Sequence, residues 1–156
     1  MNRGAAFARA AAVAAGVVAL DQVTKAIVRD SIGRDEAVDL ILGIQLVNTR
    51  NTGVAFGLFS GGGALVAIVA GVALIALLAF FVTHIGRRLV WLPTGLLIGG
   101  AAGNLLDRAT EGSVTDFVDF PLWPAFNVAD ASITIGVLAL LYVLEGPPSR
   151  GADRPS

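Results

Sequence analysis

GGALVAIVAGVALIALLAFFVT, residues 62 to 83, is the stretch that decides the fold class. It contains no Asp, Glu, Lys or Arg, and the uncharged sequence around it extends from residue 51 to residue 86. A helix that crosses a bilayer needs about 20 predominantly apolar residues, because each residue advances the helix by about 1.5 Å. The stretch therefore predicts a membrane-spanning helix over residues 62–84.

The whole chain has the composition of a membrane protein. Its 156 residues are 55% hydrophobic and 15% charged, and its mean hydropathy is +0.76. A soluble domain of this length has too small an interior to bury so much apolar surface. The net charge of −1 argues against nucleic acid as a partner, because nucleic acid binding requires a basic surface.

The available side chains limit the chemistry. There is no cysteine, which excludes disulfides, thiolate catalysis and cysteine-ligated zinc. His84 is the single histidine, so a histidine-rich metal site is excluded and a Ser–His–Asp triad is disfavoured. Acid–base chemistry would therefore depend on carboxylates, and the sequence predicts neither a metal nor a cofactor.

Three further stretches are predicted to cross the membrane. Leu89–Leu106 is uncharged, and its eighteen residues would extend about 27 Å as a helix. The first span has to include Asp21 and Lys25, which lie four residues apart and would pair on one helix face, and the last has to include Asp130. We therefore predict one all-α membrane domain, residues 1–145, with spans at about residues 7–28, 62–84, 89–107 and 127–144.

The N-terminus allows a second interpretation. MNRGAAFARAAAVAAGVVALDQ, residues 1 to 22, has a basic start, a short apolar core and small residues, as a cleaved secretory signal does. Three further predicted spans, and a first helix that continues through Asp21 and Lys25, favour a retained membrane anchor instead.

The arginines predict the orientation. Arg87 and Arg88, in the short HIGRR segment, would lie on the same side as both termini, which carry Arg3, Arg9, Arg150 and Arg154. Only Glu145 and Asp153 oppose them there, and the remaining acids fall on the other side. Because loops rich in Lys and Arg stay in the cytoplasm, we expect cytoplasmic termini and an acidic outer face.

The segments outside the spans differ in character. Residues 38–60 are rich in Val, Ile and Leu and end in turn residues, which predicts a small extracytoplasmic β-rich segment between the first and second helices. FPLWPAFN, residues 120–127, predicts an interfacial segment between the third and fourth helices. Residues 146–156 are rich in Pro, Gly and Ser, which predicts a disordered cytoplasmic tail.

Ionisable groups at membrane depth are costly, so each of them invites a functional hypothesis. Asp130 is predicted in the first turn of the last helix, where an acid is also favoured simply by the helix dipole. Asn127 lies three residues earlier, on the same face, and could cap the helix or orient the carboxylate.

Asn104, Asp107 and Arg108 share one face at the outer end of the third helix. One interpretation is a polar helix end with an Asp107–Arg108 ion pair. The other is a guanidinium that binds a carbonyl or phosphate group of a ligand.

Two more acids, Asp116 and Asp119, lie in SVTDFVDF. If Asp116 approached Asp130, the two carboxylates could not both ionise readily and would share a proton. Such a pair can activate water against a peptide carbonyl with no metal and no covalent intermediate. Spacing alone does not choose among Asp116, Asp119 and Asp107.

Five segments, in this order, resemble the signature blocks of the bacterial lipoprotein signal peptidases (signal peptidase II). They are DQVTK (21–25), NTGVAFG (51–57), GNLLDR (103–108), VTDF (114–117) and FNVAD (126–130). The resemblance implies an intramembrane aspartic endopeptidase with four transmembrane helices and a small extracytoplasmic β-cradle. Its members act at the outer side of the bacterial cytoplasmic membrane, where they remove signal peptides from prolipoproteins by cleaving before a diacylglyceryl-modified cysteine.

The resemblance also implies roles for individual residues. The family's catalytic aspartates fall on Asp116 and Asp130. Residues that contact the substrate or support the site fall on Asn51, Gly53, Asn104, Arg108, Asn127 and the first-helix pair Asp21 and Lys25, and Asp107 joins them as a further supporting residue. Two departures, Thr115 where Val is frequent and Ala131 where Ser is frequent, remove no titratable group.

Prolipoproteins, membrane lipids and peptide-like inhibitors such as globomycin are the partners that the resemblance implies. Two other functions are consistent with the pattern of charges. One is a proton or ion conductor, disfavoured because the acids collect at one end of the helices instead of following the bilayer's depth. The other is a non-catalytic membrane scaffold whose charges only terminate its helices.

Overall fold

The computed structural model describes residues 2–52 and 62–145, with side chains described throughout except at residues 62–67. Its helices are α1 (Arg3–Ser31), α2 (Gly62–His84), α3 (Trp91–Glu111) and α4 (Val128–Glu145). Its strands are β1 (Ala37–Ile41), β2 (Ile44–Asn51), β3 (Val114–Phe120) and β4 (Trp123–Phe126). Gly53, the rest of the predicted β-rich segment up to residue 60, and the tail 146–156 lie outside the described residues.

The helices occupy the four stretches in which spans were predicted. By length and composition, α1 and α4 are apolar enough to cross a membrane, with mean hydropathies of 1.6 and 1.8 over an 18-residue window. The searched part of α2, Ile68–His84, is apolar but shorter. The chain is thus mostly helical, with apolar helices that suit a membrane protein, and the four-span topology remains a prediction.

The helix α3 lies at the centre of the bundle and packs against the other three helices. Its glycines allow very close approach: a β-carbon at Gly99 would lie 2.8 Å from the carbonyl oxygen of Ala14 on α1. On another face, a β-carbon at Gly100 would lie 2.5 Å from the carbonyl oxygen of Ala129 on α4. Small residues at such contacts are typical of helix packing within membranes, where backbones gain van der Waals contact.

The outward faces of the helices are apolar. Ile75 on α2 and Leu138 on α4 are 68% and 63% exposed, and each is one of several exposed aliphatic side chains on its helix. A soluble monomer rarely exposes contiguous apolar surface of this kind. These faces are therefore suited to contact with lipid.

The four strands form one antiparallel sheet in the order β1-β2-β3-β4. The sheet is larger than predicted, because residues 123–126 of the predicted interfacial segment form the strand β4, which pairs with β3. Two prolines concealed this strand, but β4 is an edge strand, where proline is tolerated. The pairing of β2 with β3 sets Thr49 opposite Asp116.

Candidate active site

Lys25 on α1 is the centre of a buried polar cluster. Its ammonium group lies 2.7 Å from Asp21 Oδ2 and 3.0 Å from Asp107 Oδ2, and it donates a hydrogen bond of 2.9 Å to Asn104 Oδ1. Lys25 and Asp21 are completely buried. The predicted Asp21–Lys25 pair is thus present, and it extends to two residues of α3. We call these four residues the Lys25 cluster.

The Lys25 cluster also positions the start of α4. Asp21 Oδ1 accepts a hydrogen bond of 3.0 Å from the backbone N–H of Ala129, in the first turn of that helix. Gly103 makes room for Asp21, because a β-carbon there would lie 2.7 Å from Asp21 Oδ2. One side chain of α1 therefore ties α3 and α4 together at the level of the sheet.

Gln22 is a contact that the sequence analysis missed. Its Nε2 donates to Asp107 Oδ1 at 2.8 Å, to Asp21 Oδ2 at 3.1 Å and to the carbonyl oxygen of Gly103 at 3.3 Å. The one sign of this contact in the sequence is the position of Gln22 next to Asp21 in DQVTK. That sign is weak, because adjacent residues of a helix do not share a face.

Asp107 belongs to the Lys25 cluster and not to an ion pair with Arg108. Its Oδ2 contacts Lys25 and also accepts a 3.2 Å hydrogen bond from the backbone N–H of Thr115, at the start of β3. The suggested Asp107–Arg108 pair is wrong for the described structure, because successive helix positions point about 100° apart. Asp107 connects α1, α3 and β3.

Asn127 and Asp130 form a reciprocal cap at the N-terminus of α4. The backbone N–H of Asp130 donates to Asn127 Oδ1 at 2.9 Å, and the backbone N–H of Asn127 donates to Asp130 Oδ2 at 3.2 Å. This is the geometry of a capping box, with Asn and Asp in place of Ser and Glu. Both suggested roles of Asn127, capping the helix and orienting the carboxylate, are present.

Asn104 supplies the other hydrogen bond to Asp130. Its Nδ2 donates to Asp130 Oδ1 at 2.8 Å. Its Oδ1 accepts from Lys25 and, at 3.2 Å, from Asn127 Nδ2. The orientation of this amide is thereby fixed, since Lys25 can donate to oxygen and not to nitrogen.

Asp116, on β3, faces the same group of amides. Its Oδ1 accepts from Asn127 Nδ2 at 2.7 Å and its Oδ2 accepts from Asn51 Nδ2 at 2.9 Å. Its side chain is buried, at 3% exposure. Asn127 therefore contacts both Asp116 and Asp130, and we call these two acids the carboxylate pair.

Burial raises the pKa of Asp116 from 3.8 to about 6. The hydrogen bond from Asn51 opposes this rise, the negative charge of Asp130 adds to it, and Asn127 and the charge of Lys25 oppose it. Loss of solvation disfavours the ionised carboxylate, and so does a second acid nearby. Asp116 therefore exchanges its proton near neutral pH, as an acid–base group must.

The structure distinguishes the three acids that spacing left open. Asp107 is held by Lys25, and Asp119 lies opposite Gln45 in the sheet, three residues along β3 from Asp116 and therefore on its other face. Among the three, Asp116 is the acid that accepts from Asn127, whose backbone N–H donates to Asp130.

Arg108 borders an apolar cavity of about 350 Å³ between α2, α3 and α4. Its Nη1 donates to the carbonyl oxygen of Asn104 at 3.3 Å, and its Nε is buried with no hydrogen-bond partner in the described part of the chain. The other lining residues are Ala70, Ala73, Leu74, Leu77, Leu97, Ala101, Asn104 and Ile133. The cavity thus has an apolar wall and a cation beside Asn104.

A second cavity, of about 420 Å³, reaches Asp130 from the side of the sheet. Trp123 and Phe126 of β4 line it, together with Ala131, Thr134 and Ile135 of α4. Within residues 2–52 and 62–145, no group of three or more His, Asp or Glu side chains is arranged to hold a metal ion. The chemistry that this arrangement offers is proton exchange by two carboxyl groups beside apolar grooves.

The chain is similar to proteins of one known family. The family model described as signal peptidase (SPase) II matches residues 13–145. Lipoprotein signal peptidase of Halothermothrix orenii is 39% identical over 129 residues, covering 82% of this chain and 89% of its own length. The Staphylococcus aureus lipoprotein signal peptidase is 34% identical over 148 residues, covering 91% of each chain.

Solved structures agree as well. A bacterial membrane enzyme determined by the in meso method at 1.9 Å resolution is 35% identical to this chain. It superposes with a TM-score of 0.80, covering 86% of this chain and 91% of the other. On these grounds the chain belongs to the signal peptidase II family, and it is an aspartic peptidase that processes bacterial prolipoproteins.

Proposed function

We propose that Asp116 and Asp130 are the catalytic aspartates of this peptidase. One observation carries the assignment: Asn127 donates to Asp116 from its side chain and to Asp130 from its backbone, so the two carboxyl groups converge on one residue. The influence of Asp130 on the pKa of Asp116 supports the same proximity. A water molecule held between these groups would be activated without a metal.

The raised pKa of Asp116 supports a division of roles. The water oxygen attacks the scissile carbonyl carbon while Asp130 accepts a proton from that water. At the same time Asp116 gives its proton to the carbonyl oxygen. Asp130 then passes its proton to the departing nitrogen as the C–N bond breaks, and Asp116 recovers a proton from the collapsing diol. Each acid thus ends the cycle as it began.

Amides and the Lys25 cluster serve to position this pair. Asn51, Asn104 and Asn127 donate to the carboxylate oxygens, which fixes their orientation without adding a positive charge beside them. The Lys25 cluster holds Asn104 through its oxygen and the start of α4 through Asp21. These contacts support a positioning role for the residues of α1. Gly53, beyond the described residues, is proposed to line the site together with Asn51.

The substrate's signal peptide is proposed to occupy the cavity between α2, α3 and α4. Its apolar wall suits a hydrophobic helix, and Arg108 at its rim suits a main-chain carbonyl near the scissile bond. The diacylglyceryl cysteine would lie at the membrane surface beyond the cut. A peptide-like inhibitor such as globomycin would compete for Arg108 and the carboxylate pair.

We propose that the termini face the cytoplasm and that the carboxylate pair faces outward. The sheet and the carboxylate pair lie at one end of the bundle. Arg3 and Arg9 lie in the first turns of α1, and Arg87 and Arg88 lie between α2 and α3, at the other end. This separation of charge supports the orientation that the arginines predict.

The test is the cleavage of a lipidated prolipoprotein by Asp116→Asn and Asp130→Asn variants, with Asp119→Asn as the matched control on the same strand. We expect each of the first two to lose about a thousandfold in activity, the range of general acid–base catalysis, while accumulating in membranes like the parent. Asp119→Asn should process normally. Full processing by either Asp116→Asn or Asp130→Asn would refute the assignment.

A further inference from the structure

A second polar pocket lies at the end of the bundle remote from the carboxylate pair. It has a volume of about 480 Å³ and is lined by Arg9, Gly86, Arg88, Leu89 and Trp91; we call it the Arg9 pocket. Arg9 precedes Lys25 by sixteen residues of α1, which corresponds to about 24 Å along the helix. The Arg9 pocket is therefore separate from the site of proteolysis.

The polar wall of this pocket is cationic. The guanidinium carbon of Arg9 lies 5.6 Å from the centre of the Trp91 ring, so the two side chains stack at the start of α3. Arg88 is exposed, and within the described ranges no carboxylate pairs with it. Two guanidinium groups bordering one cavity favour a phosphate group, because each can donate two parallel hydrogen bonds to its oxygens.

The opposite wall is apolar. Leu89 is 46% exposed and has a backbone φ of 66°, which turns the chain between Arg88 and Trp91 so that both border the cavity. Tryptophan is enriched at the level of lipid headgroups, where its ring meets acyl chains and its N–H meets water. A free phosphate ion would use only the cationic wall, whereas a phospholipid would use both.

We propose that the Arg9 pocket binds the headgroup of an anionic phospholipid, with the phosphodiester between Arg9 and Arg88 and the acyl chains beside Leu89 and Trp91. This inference is independent of the catalytic assignment. It differs from a diffuse attraction between basic loops and an anionic membrane, because it assigns the contact to particular arginines and excludes their neighbours.

The chain supplies matched controls. Arg87 is adjacent to Arg88 and equally charged, but its Nη1 donates to the carbonyl oxygen of Leu144 at 3.2 Å and it does not line the pocket. Arg3 lies on the same helix as Arg9, near the N-terminus, and does not line it either. Removing either charge changes the surface potential as much as removing a pocket arginine.

The experiment uses the quenching of Trp91 fluorescence by brominated lipids. Trp91 and Trp123 are the two tryptophans, so a Trp123→Phe background isolates Trp91. The full chain is reconstituted in nanodiscs with equal mole fractions of brominated phosphatidylglycerol or brominated phosphatidylcholine. The preference for the anionic lipid is the ratio of the two quenching constants, measured within each variant.

We expect the parent to prefer phosphatidylglycerol. Arg9→Gln and Arg88→Gln should each reduce that preference about tenfold, the effect of losing one hydrogen bond to a charged group. Arg87→Gln and Arg3→Gln should change it by less than about twofold. Arg88→Lys keeps the charge without the guanidinium fork and should give an intermediate loss. Prolipoprotein cleavage in detergent should not differ among these variants.

Three results would overturn the proposal. Equal quenching of the parent by both lipids would mean that the pocket does not select an anionic headgroup. Equal losses in Arg87→Gln and Arg88→Gln would mean that the attraction is diffuse. Abolition of the preference by inorganic phosphate, added well above the lipid concentration, would mean that the pocket takes a soluble anion.

Discussion

Two pairs of aspartates lie close together at the sheet end of the bundle, and their donors differ. Asp21 and Asp107 share the ammonium group of Lys25. The carboxylate pair, Asp116 and Asp130, receives hydrogen bonds from asparagine side chains and one backbone N–H. A cation in contact pairs with the charge of a carboxylate, whereas amide donors orient a carboxylate without adding a positive charge beside it.

This contrast supports the proposal that Asp21 and Asp107 build the site and that Asp116 and Asp130 react. The buried charges of the Lys25 cluster form a fixed support. They stabilise the fold only while every partner is present, because a buried charge without its partner is costly. The carboxylate pair is attached to that support through Asn104 and through the start of α4. Substitutions in the Lys25 cluster should therefore mainly lower stability, whereas substitutions in the carboxylate pair should mainly lower turnover.

The largest effect on stability should come from Lys25→Met. It leaves Asp21 and Asp107 buried without their cation, a change that typically costs about 3–5 kcal/mol. Arg34→Met is the matched control, because Arg34 is exposed and close in sequence. Thermal unfolding in detergent measures both variants. Equal melting temperatures of the two variants would show that the Lys25 cluster does not contribute to stability. The proposed difference between the two pairs of aspartates would then be wrong.

A smaller effect is expected from Asn127→Ala, which removes donors to both Asp116 and Asn104 and an acceptor for the Asp130 N–H. Loss of buried hydrogen bonds should cost about 1–3 kcal/mol in stability. Turnover should fall about a hundredfold in the folded fraction, because Asp116 loses a donor and the first turn of α4, which carries Asp130, loses its cap.

Asn48→Ala is the control for this variant. Asn48 is 5% exposed and donates to the carbonyl oxygen of Ile32 at 2.8 Å, outside the site. It should lose similar stability and keep its turnover. If the two asparagine variants lost turnover equally, the role of Asn127 would be structural and not specific to the carboxylate pair.

Local sequence pattern predicted the features that depend on nearby residues. Uncharged runs predicted where the helices lie, and a spacing of four residues predicted the Asp21–Lys25 pair. The further contact of Lys25 with Asp107 joins positions 82 residues apart, and no periodicity encodes it. The resemblance to a family implied that Asp116 and Asp130 are the catalytic aspartates, and that assignment stays a proposal.

The β3–β4 hairpin shows the other limit of prediction. VTDFVDF has the alternation of a strand, but its partner contains Pro124 and follows Pro121 in the turn, and proline usually argues against a strand. Only the sheet order shows that β4 is an edge. The pairing of β3 is also not encoded locally: Asp116 lies opposite Thr49 and Asp119 opposite Gln45, and the two acids lie on different faces of the strand.

The pH dependence of turnover tests the proposed roles of Asp116 and Asp130. With the pKa of Asp116 raised to about 6, kcat/KM should fall about tenfold per pH unit above pH 6, because the proposed proton donor is then ionised. A steady-state pH profile of the free enzyme measures this limb. If kcat/KM fell below pH 6 instead, the proposed roles of the two aspartates would have to be exchanged. A flat profile would contradict a shared proton.

The same pKa has a consequence for stability. Asp116 binds its proton more tightly in the folded state than in the unfolded state, where the pKa is 3.8. Its contribution to the free energy of unfolding therefore decreases as the pH rises from about 4 to about 6 and is constant above that range. The decrease should disappear in Asp116→Asn, and unfolding of both proteins across this range measures the difference.

The smallest effect is expected at Glu111, the acid at the last position of α3. It pairs with Arg29, at 3.2 Å, and with Arg50, and its side chain is 33% exposed. Exposed ion pairs contribute at most about 1 kcal/mol, because water solvates the separated charges nearly as well. Glu111→Gln should therefore lower stability by less than about 1 kcal/mol and leave turnover unchanged, as unfolding and cleavage assays would show. If Glu111→Gln lost as much stability as Lys25→Met, burial would not determine how much an ion pair stabilises this protein. The proposed special role of the buried Lys25 cluster would then be wrong.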